Sequence, residues 1–224
     1  GDDDYAPLLP YGFGLTFGDE NTLGDSLDTS IPTNDDAQQA VSILSGAVQA
    51  PWELWLYSGN TSLAVNASTH TVGAITYRTV DKEVQEDARK VTFDGSEYAA
   101  MRFASKSYFR EDLSAQLLND TVLTFNVSRH SAMTSPVLLS MNCEGEGDEP
   151  GSCSARIDIS EQLNALPQDT WSNVSIDLQC FVDAGIDFSG VVVPFEIGSA
   201  GKASLSVADI QFAPKTGNGT ELSC

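Results

Sequence analysis

The stretch best suited to holding a flat ligand is Trp52-Glu-Leu-Trp-Leu-Tyr57. Successive side chains of a strand face opposite ways, so Trp52, Leu54 and Leu56 share one face and Glu53, Trp55 and Tyr57 the other. Trp55 and Tyr57 are therefore candidate stacking residues for a sugar ring, with a carboxylate close by. The competing reading has the same two rings covering the core or a neighbouring domain. A second candidate lies in residues 80–95, the most mixed-charge part of the chain. There Gln85, Glu86, Asp87 and Arg89 form a polar cluster, expected either to pin its own loop or to dock on another domain. Val84, Ala88 and Val91 recur at helical spacing, which predicts a short helical turn before a strand at 91–93.

Other reactive types are sparse. Asp209 sits among apolar neighbours near the end of the chain. It is a candidate calcium ligand, because Ca²⁺ gathers oxygen donors, or else a solvated strand residue. No cofactor is required by anything in the sequence, and structural calcium is the one metal considered. His70 and His130 are the only histidines, and neither has a partner at meaningful sequence spacing. The chain lacks a Gly-X-Ser-X-Gly elbow, a His-Glu-X-X-His pair and a phosphate-binding Gly-rich loop. Carboxylate pairs are too numerous in so acidic a chain to nominate a glycosidase pair. No catalytic residue is assigned.

Cys143 and Cys153 bracket a flexible acidic loop, and a disulfide between them is expected, implying an oxidising compartment. Cys180 falls in an apolar run and is expected as a buried thiol; Cys224 is expected to be free. Six Asn-X-Ser/Thr sequons, one of them at Asn66, matter only in a glycosylating host.

The elements that must position these residues are short strands. Candidates are 52–57, 62–65, 70–79, 91–93, 98–104, 121–127, 136–141, 154–159, 173–178, 191–197 and 203–212. Several alternate apolar and polar residues, the mark of antiparallel sheet with one buried face. So many short strands with turn chemistry between them predict an all-β fold, an antiparallel β-sandwich or jelly roll. Short helical patches are expected at 112–117, at 160–166 with Ser160 as N-cap, and at 181–184 with Gly185 closing it. Trp171, ahead of an alternating strand, is expected as a core anchor.

The chain has 224 residues and a net charge of −21, from 11 Lys and Arg against 32 Asp and Glu. Such acidity argues against nucleic acid or an anionic membrane as a partner. Residues 1–50 contain no Lys or Arg. Residues 18–36 have linker composition, rich in Asp, Ser, Thr and Asn. The expected organisation is an apolar, aromatic segment at 1–17, an acidic linker at 18–36, a β-sandwich at 37–214 and a tail at 215–224.

Several strings carry a resemblance to a known family. Leu9-Pro-Tyr-Gly-Phe-Gly-Leu-Thr-Phe17 resembles the segment that closes the second, α/β-sandwich domain of family 3 glycoside hydrolases. The following domain resembles the ExoP-type C-terminal module of bacterial exo-β-glucanases and β-glucosidases of that family. Its carriers are Pro51-Trp-Glu-Leu54, Val84-Gln-Glu-Asp-Ala-Arg-Lys-Val91, Pro136-Val-Leu-Leu-Ser-Met-Asn-Cys143, Leu178-Gln-Cys-Phe181 and Val193-Pro-Phe195. The resemblance spans residues 40–213. It implies a galactose-binding-like β-sandwich attached to a (β/α)₈ barrel and an α/β sandwich, in an exported bacterial enzyme. In that family the nucleophilic Asp and the acid/base Glu come from the other two domains, so this chain is expected to be inactive alone. The expected partners are the catalytic domains of the same polypeptide and, in the alternative, β-glucan itself. The acidic insert at 144–152 departs from the family pattern.

Overall fold

The computed structural model describes residues 40–224, save Asn119, Glu146 and Asn218. The readings placed on 1–17 and 18–36 lie outside the described residues. Among the described residues, two β-sheets share one apolar core. The larger contains β1 (Val41–Ser45), β2 (Ala47–Val48), β5 (Thr69–Val72), β6 (Ile75–Val80), β7 (Ala88–Asp94), β9 (Thr121–Arg129), β12 (Ser172–Asp177), β14 (Lys202–Pro214) and β15 (Thr220–Leu222). Its order is β15-β12-β9-β14-β7-β6-β5, with β1 pairing β14 and β2. The smaller sheet runs β11 (Ser154–Asp158), β10 (Val137–Asn142), β13 (Val193–Ser199), β8 (Ala99–Ser105), β3 (Trp52–Ser58) and β4 (Thr61–Ala64). This is the antiparallel sandwich expected from the sequence; among the described strands the β12–β15 pair alone is parallel.

Alternation decides which side chains enter the core. In β3, Trp52, Leu54 and Leu56 are buried and Glu53, Trp55 and Tyr57 are half-buried on the outer face. Phe125 on β9 and Phe195 on β13 meet edge to face across the two sheets at 5.2 Å, a favoured aromatic geometry. The long strand β14 changes phase midway. Ala203, Leu205 and Val207 point inward, and so do Ile210 and Phe212. A bulge at Asp209, which has a φ of 51°, supplies the extra residue. Without it Asp209 and Gln211 would face the core.

The run 70–79 divides at Gly73, whose φ of +47° makes the turn between β5 and β6. No helical turn forms at 84–91. Instead the Asp87 carboxylate accepts the backbone N–H groups of Lys82, Glu83 and Val84 at 2.5, 2.9 and 3.0 Å, and Val84 is exposed. Local side-chain bonds of this kind compete with helix. The helix at Ser160–Ala165 is preceded by Asp158, which accepts from the Ser160 N–H and hydroxyl, so Ser160 is not the cap. The helix at Leu178–Asp183 begins earlier than expected, capped by Asp177. Gly185 closes it: its N–H reaches the Val182 carbonyl at 2.9 Å, and the Ile186 N–H reaches Phe181 at 3.0 Å.

The cysteine and tryptophan expectations also fail. Cys180 is not a thiol and Cys224 is not free: they form a disulfide with Cα atoms 5.7 Å apart. The residues read as a tail supply β15, which lies beside β12 and carries Cys224 to the helix that β12 leads into. Leu222 is buried there. Trp171 is half-buried and outside the core, because β12 starts one residue later and its inward positions are Val174 and Ile176.

Candidate functional site

The outer face of the smaller sheet carries a row of side chains in register across five strands. Trp55 on β3 stands opposite Arg102 on β8, Arg102 opposite Glu196 on β13, Glu196 opposite Ser140 on β10, and Ser140 opposite Arg156 on β11. The Arg102 Nε donates to the Glu196 carboxylate, and its guanidinium carbon sits 4.2 Å from the Tyr57 ring centroid. Glu196 is buried and also accepts from the Tyr98 hydroxyl at 3.2 Å. Tyr98 can lie this low because residue 198 is glycine: a Cβ there would come 2.5 Å from the Tyr98 oxygen.

The Tyr57 and Tyr108 hydroxyls bond each other. Trp55 and Tyr108 pack against Ala104, Val192 and Val193, a small apolar patch on this outer face. Tyr108 is aimed inward by a backbone with a φ of 55°. Beside these rings is a cavity of about 490 Å³ bordered by Arg102, Tyr108, Asn142, Glu144, Gly145 and Asp148. Its far wall is the acidic insert, closed by the Cys143–Cys153 disulfide. Asp148 holds that wall by accepting from the Gly145 N–H at 2.8 Å and from Arg110 at 2.5 Å.

The electrostatics keep this face protonated and donor-rich. Burial works against the Arg102 charge, but Glu196 and the phenols of Tyr57 and Tyr108 outweigh it, and its pKa is raised. Burial, then the bond to Tyr108, raises the pKa of Tyr57; burial, then the Glu196 charge, raises that of Tyr98. Both phenols stay neutral donors at any physiological pH. The face therefore offers aromatic planes, a fixed guanidinium and amide and carboxylate groups at one cavity rim. Such a mixture is chemically complementary to a polyhydroxylated ring, whose C–H face stacks and whose hydroxyls both donate and accept.

Of the residues singled out by sequence, Trp55 and Tyr57 lie on this face. The polar cluster lies elsewhere, with Arg89 buried and Gln85 and Glu86 exposed. Arg89 is buried, donating to the carbonyls of Glu86, Ala88 and Gly46 at 2.8, 3.1 and 2.9 Å. Glu86 accepts from Thr79 at 2.9 Å. Glu86, Asp87 and Arg89 thus bond within their own domain.

Asp209, the candidate calcium ligand, is engaged by neighbouring side chains. Its carboxylate accepts from Asn126 at 2.7 Å and faces the Lys82 ammonium at 3.1 Å. Among the described residues, no group of three or more His, Cys, Asp or Glu converges to hold a metal. Calcium needs six to eight oxygen ligands.

Sequence spacing concealed the other members of the site. Arg102, Tyr98, Tyr108, Asn142 and Glu196 come from separate strands and loops, and only strand pairing joins them. Pairing also gives His130 partners: Asp169 at 2.7 Å on Nδ1 and Ser206 at 2.8 Å on Nε2. This has the order of a hydrolase triad, yet Ser206 is 1% exposed. A nucleophile needs access to its substrate, so the chain of bonds is a structural pin.

The fold is that of a two-sheet antiparallel β-sandwich. Residues 50–212 match the ExoP C-terminal family, described as galactose-binding domain-like, and the chain belongs to that family. It is similar to the extra C-terminal domain of the exo-1,3/1,4-β-glucanase ExoP from a Pseudoalteromonas species. That match has 16% identity and a TM-score of 0.63, covering 82% of this chain and 98% of the other. Against the longer ExoP glucanase structure the TM-score is 0.65 at 16% identity, with 88% of this chain but only 23% of that one covered. The family 30 carbohydrate-binding module of a Clostridium thermocellum cellulosomal cellulase is also similar. There the identity is 15% and the TM-score 0.54, over 79% of this chain and 98% of the other. At these identities the likeness is one of fold. A search of curated protein sequences finds no match.

Proposed function

We propose that this chain is a non-catalytic accessory module of a β-glucan-degrading enzyme, and that it binds glucan along the outer face of its smaller sheet. The observation that carries this reading is the cluster of Trp55, Tyr57 and Tyr108 around Arg102, of which Arg102 and Tyr108 border a 490 Å³ cavity. A cavity of this size is in the range of small-ligand sites. The glucan class rests on family membership and on the similarity to the ExoP exo-1,3/1,4-β-glucanase. The parent is a family 3 exo-β-glucanase or β-glucosidase exported by a bacterium; two disulfides suit an oxidising compartment. Affinity electrophoresis in gels containing laminarin or barley β-glucan tests the binding. The chain should be retarded relative to a plain gel, and Trp55→Ala with Tyr57→Ala should abolish the retardation. Unretarded wild-type chain in both gels ends this reading.

A second role, packing on the catalytic domains, is favoured by three large apolar side chains exposed between β8 and β9. Phe109, Leu117 and Leu118 are 69%, 44% and 52% exposed. In the full-length enzyme, replacing Phe109 and Leu117 by Ser should lower the melting temperature of the catalytic domains. An unchanged melting curve removes this role.

A further inference from the structure

Two side chains at the cavity beside Tyr108 have their orientation settled by the backbone. Asn142 ends β10 on its outward phase, two residues beyond Ser140, and its Oδ1 accepts from the Glu144 N–H at 2.6 Å. With the carbonyl end of the amide engaged there, the NH₂ end is left for the cavity that Asn142 borders. Glu144 is held in the same way. Its Oε1 accepts from the Cys153 N–H at 3.3 Å, which leaves Oε2. Among the described residues no protein group bonds the Asn142 Nδ2 or the Glu144 Oε2. Both residues are half-buried, and neither atom is among the buried polar atoms without a partner, so both meet solvent. The neighbouring carboxylates are already engaged: Glu196 by Arg102 and Tyr98, Asp148 by Arg110 and the Gly145 N–H. The rim thus presents one open donor beside one open acceptor, on residues joined by a hydrogen bond.

We propose that Asn142 and Glu144 set the linkage specificity of the outer-face site by reading two hydroxyls on neighbouring ring carbons; this rests on glucan binding at that face. One hydroxyl accepts from the Asn142 N–H, and the other donates to Glu144. In a β-glucan such a pair distinguishes linkages. A 1,4-linked glucosyl unit keeps its hydroxyls on carbons 2 and 3, which the ring holds side by side. A 1,3-linked unit keeps those on carbons 2, 4 and 6, no two of them on neighbouring carbons. Its nearest substitute, the pair on carbons 4 and 6, includes a rotating hydroxymethyl group that costs entropy to fix. The site therefore takes 1,4-linked units of a mixed-linkage glucan in preference to the interior of a 1,3-linked chain.

Affinity electrophoresis of the whole chain in barley β-glucan, rich in 1,4-linked units, and in laminarin, whose main chain is 1,3-linked, tests this. Across a concentration series the wild-type Kd by mass should be about tenfold lower for barley glucan, the effect of one hydrogen bond to a charged group. Two near-isosteric substitutions probe the pair without releasing the backbone. Glu144→Gln keeps an oxygen for the Cys153 N–H but puts a donor where the hydroxyl proton must go. Asn142→Asp keeps an oxygen for the Glu144 N–H but removes the donor. Each should erase the preference and leave weak, equal retardation from the aromatic rings. Free cellotetraose should release the wild-type chain in barley gels at about a tenth of the concentration of laminaritetraose. Equal retardation of wild type in the two gels, or a preference that survives both substitutions, overturns the proposal and leaves glucan binding standing. No retardation in either gel removes glucan binding itself, and this proposal with it.

Discussion

The Arg102 guanidinium carbon lies 4.2 Å from the centroid of the Tyr57 ring, while Arg102 is tied to the buried Glu196 on the next strand. The ion pair fixes the cation, and the cation steadies the ring. Removing one member leaves an uncompensated charge, at a cost of about 3–5 kcal/mol, whereas replacing both by apolar groups is often near neutral. Arg102→Met should therefore be strongly destabilising in urea, and Arg102→Met with Glu196→Met much less so. Glucan retardation should be lost in both, because the double variant restores the fold without the guanidinium.

Gly198 serves Tyr98 rather than the backbone. A methyl group at 198 would meet the Tyr98 oxygen at 2.5 Å and the Ala99 carbonyl oxygen at 2.8 Å. Gly198→Ala should cost about 1–3 kcal/mol by overpacking. Tyr98→Ala in the same chain should recover part of that loss in thermal unfolding, since the ring can no longer collide.

The pH dependence of the 82–87 loop follows from Asp87. Burial tends to raise its pKa, but backbone N–H bonds from Val84, Lys82 and Glu83 outweigh this, and the net shift is downward. A pKa lower in the folded than in the unfolded state stabilises above the unfolded value and is lost as pH falls through the folded one. Asp87→Ala should lower stability by about 1–3 kcal/mol at pH 7. The gap to wild type should narrow as pH falls through the lowered pKa of Asp87, where both chains come to carry a neutral residue at 87.

The two disulfides should differ in weight. Loop-closure entropy gives about 4 kcal/mol for Cys180–Cys224, separated by 44 residues, and about 3 kcal/mol for Cys143–Cys153, separated by 10. Cys180→Ser with Cys224→Ser should expose the β12 edge to hydrogen exchange. Cys143→Ser with Cys153→Ser should loosen the wall beside Tyr108 and weaken glucan retardation while leaving β12 protected.

Period two made most strands readable, but not the phase change in β14: Leu205-Ser-Val-Ala-Asp-Ile-Gln-Phe212 reads as plain alternation, and the bulge at Asp209 leaves no mark in it. The site was legible only in part. Trp55 and Tyr57 could be found because one strand carries both. Arg102 and Glu196 stand opposite each other across β8 and β13 although 94 residues apart in sequence, and only register reveals that. The false helical turn at 84–91 came from apolar spacing that a single carboxylate, Asp87, overrides. Cys180 and Cys224 meet through a three-residue strand too short to announce itself.

Few of the chain's cations are left to address the outside. Lys82, Arg102, Arg110 and Lys215 are engaged by carboxylates, Arg89 and Arg129 by backbone carbonyls, and Arg156 lies 5.8 Å from the Tyr98 ring centroid. With a net charge of −21, the outward field is one of nearly uniform repulsion. A neutral polymer approaches without an electrostatic toll, while sulfated or uronic-acid-rich chains are repelled once within about a Debye length of the surface. Retardation in laminarin should accordingly be insensitive to salt. Any retardation in alginate should be weak at low ionic strength and increase as salt is added.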